Sequence, residues 1–230
     1  VTGRVSFIDA GRLEITNVVE YESWNAAVPK GATIYLIGGQ GKRDQVSRLV
    51  FSGNTVVAGV QRPNALAGSF IRVSTGSEYD RGIVDVRNGA IVSNDFFIGD
   101  GSVTRLGAVY LSGANSAIVS QGTIKSMNWF GRGSSYAAFE MTDGYFQNGG
   151  YLTLGQSGRG FWTQRGGTIA YGTAPLKVGR ESNCYAHVLQ LGGTFKEGPG
   201  GVADIYLGFC DAIHQATGHT TLFTVDGRLG

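Results

Sequence analysis

Apolar and polar residues alternate along this chain in short runs, and the runs break at glycine. The stretch Phe161 to Gly179, FWTQRGGTIAYGTAPLKVG, states the pattern once in full. A strand-like run meets the corner Gly166-Gly167, the pair Thr168-Ile169 follows, and after a small-residue turn comes a second strand that ends at Val178-Gly179. Alternation with this period predicts half-buried strands. Glycine at the corners supplies positive φ without steric cost.

The same pattern recurs. Corner glycines Gly89, Gly122, Gly144, Gly167, Gly193 and Gly227 each stand two residues before an apolar residue, and so does Gly11. From Gly89 on, they are separated by roughly 22 to 34 residues, a period of the kind that marks a solenoid. A second anchor follows most corners: Ile98-Gly99, Phe130-Gly131, Leu154-Gly155, Val178-Gly179 and Leu207-Gly208. Two residues before those aliphatics stand Phe96, Asn128, Leu152, Leu176 and Ile205. Five residues before the corners stand Val84, Ala117, Phe139, Trp162 and Val188.

These anchors predict an all-β fold: a single-stranded right-handed parallel β-helix, or β-solenoid, of about seven coils. Equivalent side chains then stack into interior ladders, one of them Ile91, Ile124, Phe146, Ile169 and Phe195. A single coil cannot bury its own apolar face, so repetition is obligatory. The competing fold is a β-sandwich. The expected organisation is one domain over 1–230, with 1–83 less regular and 84–230 in regular repeats. Near 17–29 the spacing of Val18, Tyr21, Asn25 and Val28 before Pro29 admits either a short capping helix or a loop. Asp211 to Gly218 admits one or two helical turns, with an N-cap aspartate and a closing glycine.

Composition narrows the picture without changing it. The 38 glycines against 4 prolines, with no Gly-X-Y period, exclude collagen and proline-rich disorder. Charged residues make up only 16%, and the net charge is +2. The densest basic cluster, Lys42, Arg43 and Arg48, is broken by Asp44, so no nucleic-acid partner is expected. No apolar run reaches the roughly 18 residues that cross a bilayer, so membrane insertion is not expected. The chain opens at Val1, and its two ends resemble each other: FIDAGRL from Phe7 and FTVDGRL from Phe223. A processed or excised segment is therefore expected, either a fragment of a longer solenoid or a subunit that stacks head-to-tail with itself.

The strings QRGGTI, LGGTF and QGTI, followed by LKVGR, IYLG and FIGDG, resemble the passenger-type β-strand repeats of bacterial autotransporter-like surface proteins. The resemblance covers 84–229 well and 1–83 loosely. It implies a parallel β-helix outside the cell or on its surface, used as a stalk or adhesive scaffold.

Candidate chemistry is sparse. Cys184 and Cys210 lie just after strand-ending glycines about one coil apart, which suits a disulfide stapling two coils. Two separate thiols are the alternative. No cofactor and no metal site is expected: His187, His214 and His219 lack ligand spacing, and Asp100, Asp143 and Asp226 are not periodic. A glycosidase on this scaffold would need two carboxylates about 5–9.5 Å apart. Asp85 and Glu140 occupy equivalent positions with Ile118 between them, flanked by Arg87 and Thr142, but solvated charge is the plainer reading. Glycan contact is assigned instead to aromatics near corners or at outward positions: Phe97, Trp129, Tyr145, Tyr151, Tyr171 and Tyr206. The sequence therefore points to a non-enzymatic scaffold or fibre segment. A carbohydrate-binding adhesin is the first alternative, and a polysaccharide lyase or glycoside hydrolase the second.

Overall fold

The computed structural model describes residues 4–7, 12–16, 33–36, 46–53, 56–58, 70–74, 80–93, 95–101, 105–120, 127–148, 151–171, 176–181, 184–197, 205–207 and 220–225. Among these residues every element is a strand and no helix occurs. The segments 17–29 and 211–218, read as possible helix, lie outside the described residues.

The described strands form three sheets, and each neighbouring pair within them is parallel. The first sheet holds β1 (Arg4–Phe7), β3 (Thr33–Leu36), β6 (Phe70–Val73), β9 (Asp95–Gly101), β12 (Met127–Gly133), β15 (Tyr151–Leu154), β18 (Leu176–Val178) and β21 (Ile205–Leu207). The second holds β2 (Arg12–Thr16), β4 (Ser47–Ser52), β7 (Arg81–Val86), β10 (Leu106–Leu111), β13 (Tyr136–Met141), β16 (Arg159–Gln164), β19 (Tyr185–Gln190) and β22 (Thr220–Val225). The third holds β5 (Val56–Ala58), β8 (Ile91–Ser93), β11 (Ala117–Ser120), β14 (Tyr145–Asn148), β17 (Thr168–Tyr171) and β20 (Thr194–Glu197).

The chain visits the three sheets in turn and pairs each strand with the one a full coil away. This is a β-solenoid. Among the described residues two faces carry eight strands and the third six, so the count departs from the expected seven coils.

Alternation explains which side of each strand is inside. In β13 the residues Ala137, Phe139 and Met141 are buried while Tyr136, Ala138 and Glu140 are partly exposed. The inward residues stack in register. On the second sheet Leu49, Val84, Val109, Phe139, Trp162 and Val188 form one buried ladder. Trp162 is its widest rung. It meets Phe139 at 4.3 Å between ring centroids, and Phe146 of the third sheet edge-on at 5.4 Å. These aromatic contacts tie two faces together across the interior.

The second anchor is in register as expected: Ile98, Phe130, Leu154, Val178 and Leu207 are Cα partners along the first sheet. The third-sheet ladder differs from the expectation. It runs Val92, Ile118, Phe146, Ile169, Phe195, so Val92 stands where Ile91 was expected and Ile118 where Ile124 was. On the second sheet Val109, rather than Ala117, partners Val84 and Phe139. Corner length is the reason. Three residues separate Gln164 from Thr168, but four separate Val86 from Ile91 and five separate Leu111 from Ala117. The corner of that last coil is Gly113, at φ +90°, and Gly122 lies outside the described residues, as does Gly227. In the longer corner the amide of Ser116 donates to the Gly113 carbonyl (2.9 Å), and the Ser116 hydroxyl accepts from Gly89 N–H (2.9 Å). The extra residues thus knit two corners together, and the ladders keep step.

Gly89, Gly144, Gly167 and Gly193 all have positive φ, as corners require. Gly167 shows why a side chain is excluded. At φ +71° a Cβ would stand 2.5 Å from the Gly144 carbonyl oxygen of the coil below, which already accepts from Thr168 N–H at 2.9 Å. Gly167→Ala is expected to cost about 1–3 kcal/mol through strain at this corner. Trp162→Ala is expected to cost about 3–5 kcal/mol through the cavity it leaves. Thr142→Ala, at an exposed corner position, is expected to stay within about 0.5 kcal/mol. Urea denaturation midpoints of the three variants check the order.

Candidate functional site

With the interior filled by ladders, chemistry is confined to the outer faces. The outward residues of the second sheet stand in three rows that run from coil to coil. One row is Arg81, Leu106, Tyr136, Arg159 and Tyr185. The next is Ile83, Ala108, Ala138, Phe161 and His187. The last is Val50, Asp85, Tyr110, Glu140, Thr163 and Leu189.

Side-chain size along the first two rows makes a groove of about 290 Å³. Ala108 and Ala138 leave the floor low, Leu106 and Tyr136 form one wall, and Phe161 and Arg81 stand towards opposite ends. Leu106 and Phe161 are 36% and 37% exposed. The aromatic wall is braced from outside the groove. The Arg159 guanidinium lies 4.7 Å over the Tyr136 ring, and Phe161 leans on Tyr185 with centroids 5.4 Å apart. At the Arg81 end, Nε is buried and has no hydrogen-bond partner among the described residues. Such a surface can take a flat, partly apolar molecule and hold a negative group at its rim.

The groove is not legible from the sequence, because glycine spacing puts the coil containing Ala108 out of step. With Gly122 taken as its corner, Ala108 could not be seen beside Ala138. The signal was present in the alternation of Leu106, Ala108 and Tyr110 against Tyr136, Ala138 and Glu140.

The carboxylate pair has a different neighbour from the one expected. Tyr110, rather than Ile118, stands between Asp85 and Glu140, again because the coil is in a different register. Two strand steps separate the carboxylates, about 9.6 Å. Each is engaged by its own arginine. Arg48 Nη1 donates to Asp85 Oδ2 at 2.6 Å, and Arg165 Nε donates to Glu140 Oε1 at 2.9 Å. The pair therefore lies flat on a sheet, bound by guanidinium groups at both ends and separated by a phenol.

The aromatics assigned to glycan contact are spread over the molecule. Phe97, Trp129 and Tyr206 share one row of the first sheet, but Thr153 and Lys177 lie between Trp129 and Tyr206, and Thr153 is only 1% exposed. Tyr145 belongs to the third sheet, where its hydroxyl donates to Gln147 Oε1 at 3.0 Å. Tyr171 shares a row with the buried Asn148, and Tyr151 is the Cα partner of Met127 on the first sheet. Of the six, only Tyr145 has a described side chain.

Cys184 is buried just before β19, and no disulfide is found among the described residues. Its expected partner Cys210 lies outside them, as do His214, His219 and Asp226. His187 is on the outer face beside the buried Val188, as the alternation predicts. Asp143 accepts from the Gly144 amide at 2.7 Å and so supports its corner. Among the described residues no cluster of three or more His, Cys, Asp or Glu could hold a metal ion. Likewise, among the described residues no helix is long and apolar enough to cross a membrane.

No protein-family model, curated protein or solved structure matches this chain.

The two ion pairs differ in burial, and so should their worth. Asp85 is 12% exposed at its side chain and Glu140 35%, with Arg165 at 53%. Glu140→Gln is expected to change stability by less than about 1 kcal/mol. Asp85→Asn leaves the Arg48 charge without its partner and is expected to cost about 1–3 kcal/mol. Double-mutant cycles with Arg165→Gln and Arg48→Gln in urea denaturation check both values.

Proposed function

We propose that the chain is a non-enzymatic structural segment of an extracellular or surface-displayed protein: a β-solenoid rod that works by display or by association with further copies of itself. The observation that carries this reading is the sameness of the coils. Successive coils present the same interior, sheet upon sheet, with parallel strands in continuous register. Such a molecule gains length by adding coils without redesigning its core, which is the property a spacer or stalk requires.

Two further points support it. The carboxylates nearest in kind to a hydrolase pair are held in ion pairs on a flat face rather than opposed across a cleft. The repeat strings resemble those of autotransporter-like surface proteins, which are displayed outside the cell. Association between copies would use the terminal strands, since a parallel strand with one neighbour presents an unpaired row of backbone groups to another chain.

Seven steps between eight stacked strands give a rod about 34 Å long. Electron microscopy of the purified chain, with mass by light scattering over a range of concentrations, tests the reading. Filaments or end-to-end oligomers with an axial repeat of about 38 Å, one further strand spacing for the junction between copies, are the expected result. A 24.3 kDa monomer at every concentration would remove self-association and leave display alone.

A further inference from the structure

We propose that the groove on the second sheet is a binding site for an acidic oligosaccharide lying along the solenoid axis, its sugar faces on the alanine floor and its carboxylate or sulfate groups on arginine.

Two independent features meet there. The first is shape. Ala108 and Ala138 open a trough between Leu106, Tyr136 and Phe161, and its rungs are one strand spacing apart, about 4.8 Å. That step is comparable with the advance per sugar along an extended glycan. The apolar C–H face of a pyranose can rest on small aliphatic residues. The second is charge. Along the corner between the first and second sheets, each of five successive coils contributes one arginine: Arg81, Arg105, Arg132, Arg159 and Arg180. Arg81 and Arg159 open their strands directly beside the groove. Repetition at the coil spacing turns single charges into a basic line.

Acidic groups share this corner with the arginines. Among the described residues they are Asp80, which is fully buried, Glu181, which accepts from Gln156 Nε2 at 2.6 Å, and Asp100, placed opposite Arg132 by register. The buried Nε of Arg81 adds an observation of its own. Arg81 lines the groove, its Nε has no hydrogen-bond partner among the described residues, and an unpartnered buried donor is costly unless something satisfies it. A carboxylate or sulfate oxygen there would accept from it. Arg159 already lies over Tyr136 and is held in place to receive a second anionic group.

A nucleic acid fits less well. Base stacking needs open aromatic faces, whereas the Tyr136 ring is capped by Arg159 and Phe161 leans on Tyr185. The site is complete within one chain, so it does not rest on the scaffold reading and would serve a monomer equally.

Isothermal titration of the whole chain with a short oligogalacturonate and with a heparin oligosaccharide tests the proposal and separates carboxylate from sulfate. A maltooligosaccharide and a single-stranded oligothymidylate serve as comparisons. At least one acidic glycan is expected to bind, with affinity that falls as salt rises, and the neutral glycan is not. Arg81→Gln and Arg159→Gln are each expected to weaken binding about tenfold, the loss of one charge-assisted hydrogen bond. Ala108→Tyr fills the floor and is expected to abolish binding. Circular dichroism checks that it folds, and the exposed Arg159→Gln carries the test if it does not. Failure of both acidic glycans to bind overturns the proposal. So do equal binding of the neutral glycan, binding unchanged in the arginine variants, and tighter binding of the oligothymidylate with the same sensitivity to substitution.

Discussion

Everything in this molecule depends on one strand being able to lie directly on the next, a strand spacing of about 4.8 Å away, all the way round the coil. The flat faces achieve this with ladder hydrogen bonds. The corners are the harder part, because there the chain must turn while backbone carbonyls of one coil still meet amides of the next. Thr168 N–H to Gly144 O and Thr194 N–H to Gly167 O, both 2.9 Å, carry the ladder through the turn. They leave no volume for a Cβ at Gly167 or Gly193, where one would stand 2.5 Å from a carbonyl oxygen of the adjoining corner. Close stacking at the corners is what allows the interior rungs to touch.

Given that stacking, the interior follows. Each inward residue rests on its Cα partner in the next coil, so a large ring at one level must be matched by its neighbours. Trp162 lies against Phe139, meets Phe146 edge-on and is 6.3 Å from Phe195, all within successive coils. Polar rungs are tolerated where the corner offers partners. Gln164 and Gln190 are fully buried in the row that holds Met141, and their amides donate to carbonyls at or just after the corners: Gly167 and Thr194 for the first, Gly193 for the second. The same side chains that occupy core volume thus tie down the corners.

The outer faces are where coils are free to differ, because nothing stacks on them but solvent or a partner. Here the second sheet departs from uniform polarity. Two alanines in register, flanked by Leu106, Tyr136 and Phe161, make a trough with a basic line along one side. The carboxylates of the same face are held by Arg48 and Arg165 a row away. A scaffold reading accounts for the core, and the proposed glycan site accounts for a surface on this face that the core does not require.

The class of fold is legible in the amino-acid pattern alone. Glycine corners, two recurring anchors and period-two alternation are local signals: the aliphatic-glycine anchor marks the first-sheet ladder from Ile98 to Leu207 directly, and three-residue corners place Phe146, Ile169 and Phe195 on the third sheet. Only the tertiary structure decided the register of the coil from Leu106 to Ser120. Its corner, with Gly113 and Ser116, is two residues longer than the Gly-Gly corner, and a spacing rule has no means of knowing which residues loop out. Pairing with both neighbouring coils settles it, since Val109 must lie between Val84 and Phe139 for the rungs to meet. That single register decided the site as well. Ala108 beside Ala138, and Tyr110 between Asp85 and Glu140, are relations between coils some 30 residues apart, and only the stacked chain brings them together.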